Sequence, residues 1–544
     1  MKQSKVEKYK QKYNGNITQW FYDSINYPYI EKPINIISKL ATNDTIINQL
    51  YYFGKSKLGR AFQRIFDKLG IKLDKRLGLS DHTKLAIFGR KGVIEHKSVF
   101  VAYAGEMLKR YVLDWKYRQE NRIKVPPPIH KRGTPPNTYK GWKKLRDEIS
   151  PNFTLNLEEG EIFKVLPDDS MTPKDRIERL IEFKDVDRVG FGPTLSHTIA
   201  LIGGQTVGKR IGGFWDFTFG SKCIAKMAIN TWIRTGGIDF TPFGTGFGGG
   251  AIPFPETHSK FFYNWEYPGD AIVEQFVERE LLKDYESLYD YGLLVYIKEF
   301  TKRMMYDMLL AAKGGAIALL GTEKYLKKVS NQFISYATSI FSLWDIIPMA
   351  RGMFSFMRDT VKRPEEVKAM FEFLNKGYLE FGLMLARITR GKLVLFGNSR
   401  GSNSWVSPKM FEELYWPSMK YQLEQVIKAG YVPMCHLDNN WVENMHYFLE
   451  LPKHSCVFHL DQGDLAKVRE IVGDHFCLMG NLQPPLLKGG TPQQVEEEVK
   501  RLIEACGQEG GYIVATGCEC TPDVSIQNLM AMKRAVKNYG YFKA

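Results

Sequence analysis

Four short apolar runs in the last third of the chain each finish in side chains able to hold a metal or move a proton. Tyr431–Leu437 passes through Cys435 and His436 to Asp438. Ser455–Leu460 carries His459 and ends at Asp461, and Phe476–Met479 leads to Asn481. Gly511–Thr516 leads to Cys518, Glu519 and Cys520. Side chains alternate along a strand, so His436 and Asp438 are expected on one side, as are Cys518 and Cys520, with Cys435 turned to the other face. An imidazole, a carboxylate and a thiolate with one open position describe a catalytic Zn2+ site, where the metal acts on a substrate oxygen or sulfur. No CxxC…CxxC pair is present, which excludes a structural zinc knuckle. Six of the seven cysteines follow residue 434, and the first residues carry no apolar signal core. The thiols therefore read as metal or thiol chemistry in a cytoplasmic protein, not as a disulfide framework. Cys456 and Cys477 lie within strands and read as small buried hydrophobes.

These ends must be held by a scaffold, and the sequence proposes one. From Ser170 onward short apolar runs alternate with helical stretches. The strand candidates are Arg188–Gly192, Gly237–Pro242, Ala316–Gly321, Lys392–Gly397 and the four runs above. The helices between them include Pro408–Ala429, Asp464–Val472 and Pro492–Cys506, the last capped by Thr491. Continuous apolar strands alternating with helices mark a parallel sheet. About eight such units favour an α/β fold closed as a (β/α)8 TIM barrel, whose active site lies at the carboxyl ends of the strands. Trp405, Trp441 and the run Asn398-Ser399-Arg400 are placed to line a pocket for an aromatic substrate, and His197 to face a substrate. Phe243–Ala251 is a glycine-rich loop without the Gly-Lys-Ser/Thr ending of a phosphate cradle.

The charge is unevenly spread. The chain of 544 residues carries +15, but residues 1–150 hold 31 Lys+Arg against 13 Asp+Glu, leaving 44 against 47 in the remainder. We divide it into a basic, mostly helical extension over 1–165, with a proline-rich strap near 125–136, and a barrel over 168–544. Zinc-finger, RNA-recognition and helix-turn-helix patterns are missing, which argues against nucleic acid as the partner. No apolar run reaches the roughly 18 residues of a membrane span.

Several segments also resemble a known superfamily. They are Met171–Arg179 with Asp187-Arg-Val, Arg363–Phe373, Ser407–Glu413, Ala429–Pro433, Gly480–Pro484, Gly490–Val495 and Gly517-Cys…Thr521-Pro. In this order they resemble uroporphyrinogen decarboxylase and the cobalamin-dependent methyltransferases. The resemblance covers about residues 168–544 and implies the same (β/α)8 barrel. The decarboxylase branch has an arginine-rich loop after its first strand, whereas Gly190–His197 contains no arginine. It also tends to carry His where this chain has Cys518. The methyltransferase branch implies zinc held by a His-x-Cys motif and a later Gly-Cys cysteine. His436 and Cys518 match, Asp438 replaces the middle cysteine, and Asp461 falls where a further carboxylate ligand is reached. A harder ligand set suits an oxygen substrate. The resemblance thus implies a methyltransferase of the O-demethylating kind, in which His436, Asp438 and Cys518 serve catalysis and, with Asp461, zinc. Its methyl group would move between a methoxylated substrate, aromatic ethers included, and a corrinoid (cobalamin) on a separate protein, since no Asp-x-His-x-x-Gly signature is present. Asn398, Trp405, Asn481 and His197 would face the substrate. Two rival expectations are a decarboxylase or lyase on the same barrel, and a non-catalytic binding protein working through its basic extension.

Overall fold

Leu393–Asn398 reads Leu-Val-Leu-Phe-Gly-Asn, and all six residues are buried. A strand covered on both faces has no solvent side to alternate with, which is why the late strands read as unbroken apolar runs. The computed structural model describes residues 56–95, 97–98, 148–149, 165–195, 235–240, 265–266, 275–276, 282–292, 334, 336–389, 391–520 and 524–542. Within them seven strands form one parallel sheet: β1 Gly190–Phe191, β2 Tyr336–Phe341, β3 Leu393–Asn398, β4 Val432–Asn440, β5 Val457–Gln462, β6 Cys477–Leu482 and β7 Tyr512–Thr516. Strands β2 to β7 pair in sequence order, and β7 pairs in turn with β1. On the other edge of β1, the amides of Asp239 and Phe240 donate to the Phe191 carbonyl, at 2.8 and 3.3 Å. Phe240 shares an inner apolar cluster with Ile334, just ahead of β2. Residues 238–240 thus take the eighth place, and the fold is a (β/α)8 barrel.

Alternation along the strands divides the core in two. Leu393, Leu395, Met434, Val457, Cys477, Met479, Ile513 and Ala515 fill the interior. Their neighbours Val394, Phe396, Cys435, Phe458, Leu478 and Val514 pack outward against the helices. Cys435, Cys456 and Cys477 are fully buried, as read from the sequence. Helix Pro173–Ile181 places Ile177, Leu180 and Ile181 in the inner cluster. It is capped by Thr172, whose hydroxyl accepts the Asp175 amide at 3.0 Å. Beside it lies a buried ionic cluster. Arg188 donates to Asp169 at 2.6 Å and to Asp239 at 2.7 Å, while Arg176 donates to Asp187 at 2.7 Å and to Asp239 at 2.6 Å. This cluster ties the helix, β1 and the eighth position together.

Most expected elements occur. Pro492–Cys506 is a helix with those bounds, with a capping box between Thr491 and Gln494. The helical run Pro408–Lys428 contains a π-helical turn at Phe411–Tyr415. The strand beside β3 is Tyr336–Phe341, which the sequence reading did not identify. The Ala316–Gly321 candidate, the glycine-rich loop, the proline-rich strap, His197 and most of residues 1–165 lie outside the described residues. Of the basic extension, helices Lys57–Leu77 and Asp81–Glu95 are described. The second packs on helix Pro364–Thr389, where Gly377 leaves room for the His82 backbone and Thr83 donates to Glu380 at 2.7 Å. No helix among the described residues is long and apolar enough to cross a membrane.

Candidate metal centre

The inward face of β4 carries Met434, then His436, then Asp438, so the apolar interior gives way to polar side chains toward the carboxyl end of the barrel. His436 Nε2 lies 3.0 Å from Asp438 Oδ1. Cys518 Sγ lies 3.8 Å from the same nitrogen and 3.6 Å from the same oxygen. Among the described residues these three form the grouping of His, Cys, Asp or Glu able to share one ion. A tetrahedral Zn2+ with bonds of about 2.0 Å to N, 2.1 Å to O and 2.3 Å to S would separate such ligands by about 3.3–3.6 Å. The observed triangle matches this to within a few tenths of an ångström, and its donors suit zinc. His436 is 5% exposed, whereas Asp438 and Cys518 are half-buried, so the open side of the triangle faces the barrel mouth.

The supports of these ligands come from neighbouring strand ends. Ser399, just after β3, donates its hydroxyl to Asp438 Oδ2 at 2.7 Å, leaving Oδ1 toward the cluster. Asp345 accepts the Ser399 amide at 3.1 Å and Arg400 Nη1 at 3.0 Å, which fixes that turn. Trp441 is fully buried and donates to the Asp438 carbonyl at 2.7 Å, so it is a packing residue. On the far side His459 Nδ1 lies 2.8 Å from His436 Nδ1, and its Nε2 lies 2.7 Å from the Thr516 carbonyl.

Charge balance follows from the contacts. Burial disfavours the His436 cation, but the adjoining Asp438 carboxylate outweighs this and raises its pKa above the ordinary 6.5. Burial likewise opposes the Asp438 anion, yet His436, Ser399 and Cys518 bring it down to about 2. Burial, with Asp438 close by, pushes the Cys518 thiol well above its ordinary 9.0. His459 is moved the opposite way, down to about 3, by burial and by its neighbour His436. Without an ion the Asp438 carboxylate favours the protonated form of His436, and burial favours the neutral thiol of Cys518.

Other expected positions fare differently. Cys520 does not share the side of Cys518: β7 ends at Thr516, so strict alternation no longer applies, and the Cys520 thiol is buried against Thr516 Oγ1 at 3.8 Å. Asp461, expected as a fourth ligand, accepts the Asn439 amide at 3.1 Å and is not among the three residues whose donor atoms come together. Asn398 is fully buried between the Phe396 carbonyl and the Tyr415 hydroxyl, and Asn481 donates to the Gly463 carbonyl at 2.9 Å. Trp405 is 41% exposed. His459 stands at a strand end in the sequence with no role assigned to it, Ser399 was expected at a pocket wall and not as the support of Asp438, and Asp345 was missed. Only the cross-strand register His436↔His459 reveals the first, and only the folded turn reveals the others.

Gly517 decides whether Cys518 arrives at all. A Cβ there would collide with the backbone carbonyl of Asp461, which cannot swing aside. Gly517→Ala is therefore expected to displace Cys518 and weaken Zn2+ binding by about tenfold or more, the scale seen when a ligand's support is disturbed. Chelator competition would measure it, and unchanged affinity would show that the strand end relaxes.

The fold and the site together define a (β/α)8-barrel protein in which three side chains able to share a metal ion gather at the carboxyl ends of its strands. Residues 318–539 match the family described as uroporphyrinogen decarboxylase (URO-D). Curated relatives agree over a shorter stretch. Uroporphyrinogen decarboxylase of Chlorobium phaeovibrioides is 36% identical over 77 residues, 14% of this chain and 22% of that protein. The enzyme of Methylococcus capsulatus is 33% identical over 76 residues, 14% and 21% of the two chains. The chain thus matches only about a fifth of the length of these relatives. Among solved structures, a methyltransferase from Methanosarcina mazei aligns with 68% of this chain and 99% of its own, at TM-score 0.48 and 15% identity.

Proposed function

We propose that this protein is a corrinoid-dependent methyltransferase that moves a methyl group between a methoxylated substrate and a corrinoid carried by a separate protein. The observation that carries this reading is the His436–Asp438–Cys518 triangle at the mouth of a URO-D-type barrel. Zn2+ held there would supply a Lewis acid that draws charge from a substrate oxygen and makes the alkoxide or phenoxide a better leaving group. The chain's own contribution is positional. Ser399 holds Asp438 in one orientation, His436 closes the buried side, and the half-buried edge between Asp438 and Cys518 admits the substrate. Asp461 is a candidate fourth ligand, and the exposed Trp405 ring offers a face to an aromatic ether. Asn398 and Asn481, whose amides are already engaged, would shape the pocket walls.

A decarboxylase reading is favoured by the names of the curated relatives and opposed by the absence of arginine from Gly190–His197. Bidentate arginine is the usual partner of substrate carboxylates. The deciding experiment is the metal content of wild type, His436→Ala and Cys518→Ser, followed by methyl transfer to added cob(I)alamin. Near-stoichiometric zinc in wild type, lost in both variants, is the expected result, with transfer only in the loaded protein. Wild type that takes up no zinc would overturn the metal mechanism. Decarboxylation with no corrinoid requirement would replace the methyltransferase reading.

A further inference from the structure

We infer that His459 is a positioning residue that sets the tautomer of His436, placing the His436 proton on Nδ1 and its lone pair on Nε2, toward Asp438 and Cys518. This rests on reading the triangle as a metal site, and it adds to that reading what selects the ligating nitrogen. The two histidines are register partners on β4 and β5, and their ring centroids are 4.5 Å apart. Their Nδ1 atoms lie 2.8 Å apart, so exactly one hydrogen can stand between them: one ring donates and the other accepts.

The direction follows from the far side of His459. Its Nε2 lies 2.7 Å from the carbonyl oxygen of Thr516, and a carbonyl only accepts, so that nitrogen carries a hydrogen. The Thr194 hydroxyl stands 3.5 Å away on the same side. Were Nδ1 of His459 protonated as well, the ring would be a cation. Yet it is 0% exposed, and its hydrogen-bond partners are a carbonyl, a hydroxyl and another imidazole, with no carboxylate. Burying an unpaired charge is costly, so His459 is neutral and its Nδ1 accepts from His436.

A neutral partner also has a consequence for charge. The second nitrogen of a ligating histidine commonly donates to a carboxylate, carbonyl or water. Asp438 and a Cys518 thiolate already neutralise a divalent ion, and Asp461 lies close enough to act on both His436 and Cys518, so a carboxylate behind His436 would add one more negative charge. An imidazole fixes the tautomer without adding one. Thr516, which anchors His459, lies two residues before Cys518, so one strand end both delivers the thiol and orients the imidazole.

The test uses the full-length protein, Zn2+ alone as the probe, and the variants His459→Leu and His459→Asn. His459→Leu should weaken Zn2+ by about 10- to 100-fold in chelator competition, the range for lost support of a ligand. His459→Asn, whose amide oxygen can accept near the former Nδ1, should recover most of that loss. Equal losses in both variants would mean that His459 only fills space, and an undiminished Leu variant would overturn the inference. Nitrogen-15 NMR of the metal-free protein, at a pH where His436 is neutral, reads the tautomer directly. An Nε2–H form in wild type would overturn the inference even if zinc binds. The Nδ1–H form in a wild type that takes no zinc would uphold the tautomer and reject the metal reading.

Discussion

Arg188→Met is expected to destabilise the barrel by about 3–5 kcal/mol, the usual result of removing one partner from a buried ion pair. Arg188 is fully buried, and its guanidinium meets Asp169 through Nε at 2.6 Å and Nη2 at 2.9 Å, Asp239 through Nη1 at 2.7 Å, and its neighbour's carbonyl, Val189 O, at 2.8 Å. Methionine keeps most of the stem but leaves Arg176 facing Asp169, Asp187 and Asp239 alone. Denaturant unfolding would read the change as a lower midpoint with an unaltered slope. A loss under about 1 kcal/mol would mean that water or a shifted Arg176 repairs the cluster. Acid should expose the same interaction. Burial alone would raise Asp169, but Arg188 and Arg176 hold it well below its ordinary 3.8. A carboxyl lowered on folding contributes stability that is complete above its ordinary value and lost as pH falls through the folded one. Wild type should therefore lose this contribution only below pH 3.8, and the variant should show a weaker dependence there.

Zinc affinity should rise with pH by up to about tenfold per unit for each proton the ion displaces. His436 and Asp438 set the lower part of that profile. The His436 pKa is raised on folding, so its ion-pair contribution is complete below 6.5 and is lost as pH climbs through the folded value. Asp438 is lowered to about 2, so its contribution is complete above 3.8 and lost as pH falls toward 2. The metal-free protein therefore gains most from this pair between 3.8 and 6.5, where zinc must displace the His436 proton as well as that of Cys518. Above it the imidazole is neutral, and the Cys518 thiol, raised by burial, still has to yield its proton to the ion. Calorimetry in buffers of different ionisation enthalpy should count close to two protons released near pH 6 and one at pH values above the His436 transition. A pH-independent affinity would mean that the triangle does not hold the ion.

Much of this was legible in the residues themselves. Strands β3 to β7 announce themselves because burial on both faces forces unbroken apolar runs. The helix Pro492–Cys506 does so because Thr491, Pro492 and Gln494 write its start locally. The strand Tyr336–Phe341 hid behind its small and polar middle, Ala-Thr-Ser, whereas Ala316–Gly321 looked more apolar. His436, Asp438 and Cys518 could be found because they end strands of a fold whose chemistry sits at that end. Cys520 misled, since alternation was carried two residues past the end of β7. The supporting roles of Ser399, Asp345 and His459 could not be read, because they depend on register and loop packing between strands.

The way β7 closes the ring bears on how the protein matures. It lies between β6 and β1, and it is followed two residues later by Cys518, 82 positions after His436. In a chain still emerging from the ribosome His436 and Asp438 are made 80 or more residues before the thiol that joins them. The complete triangle can form only when β7 docks and brings Cys518 to the other two. Retained zinc would then mark barrels that have finished closing, and chains stalled or clipped before residue 518 would carry none.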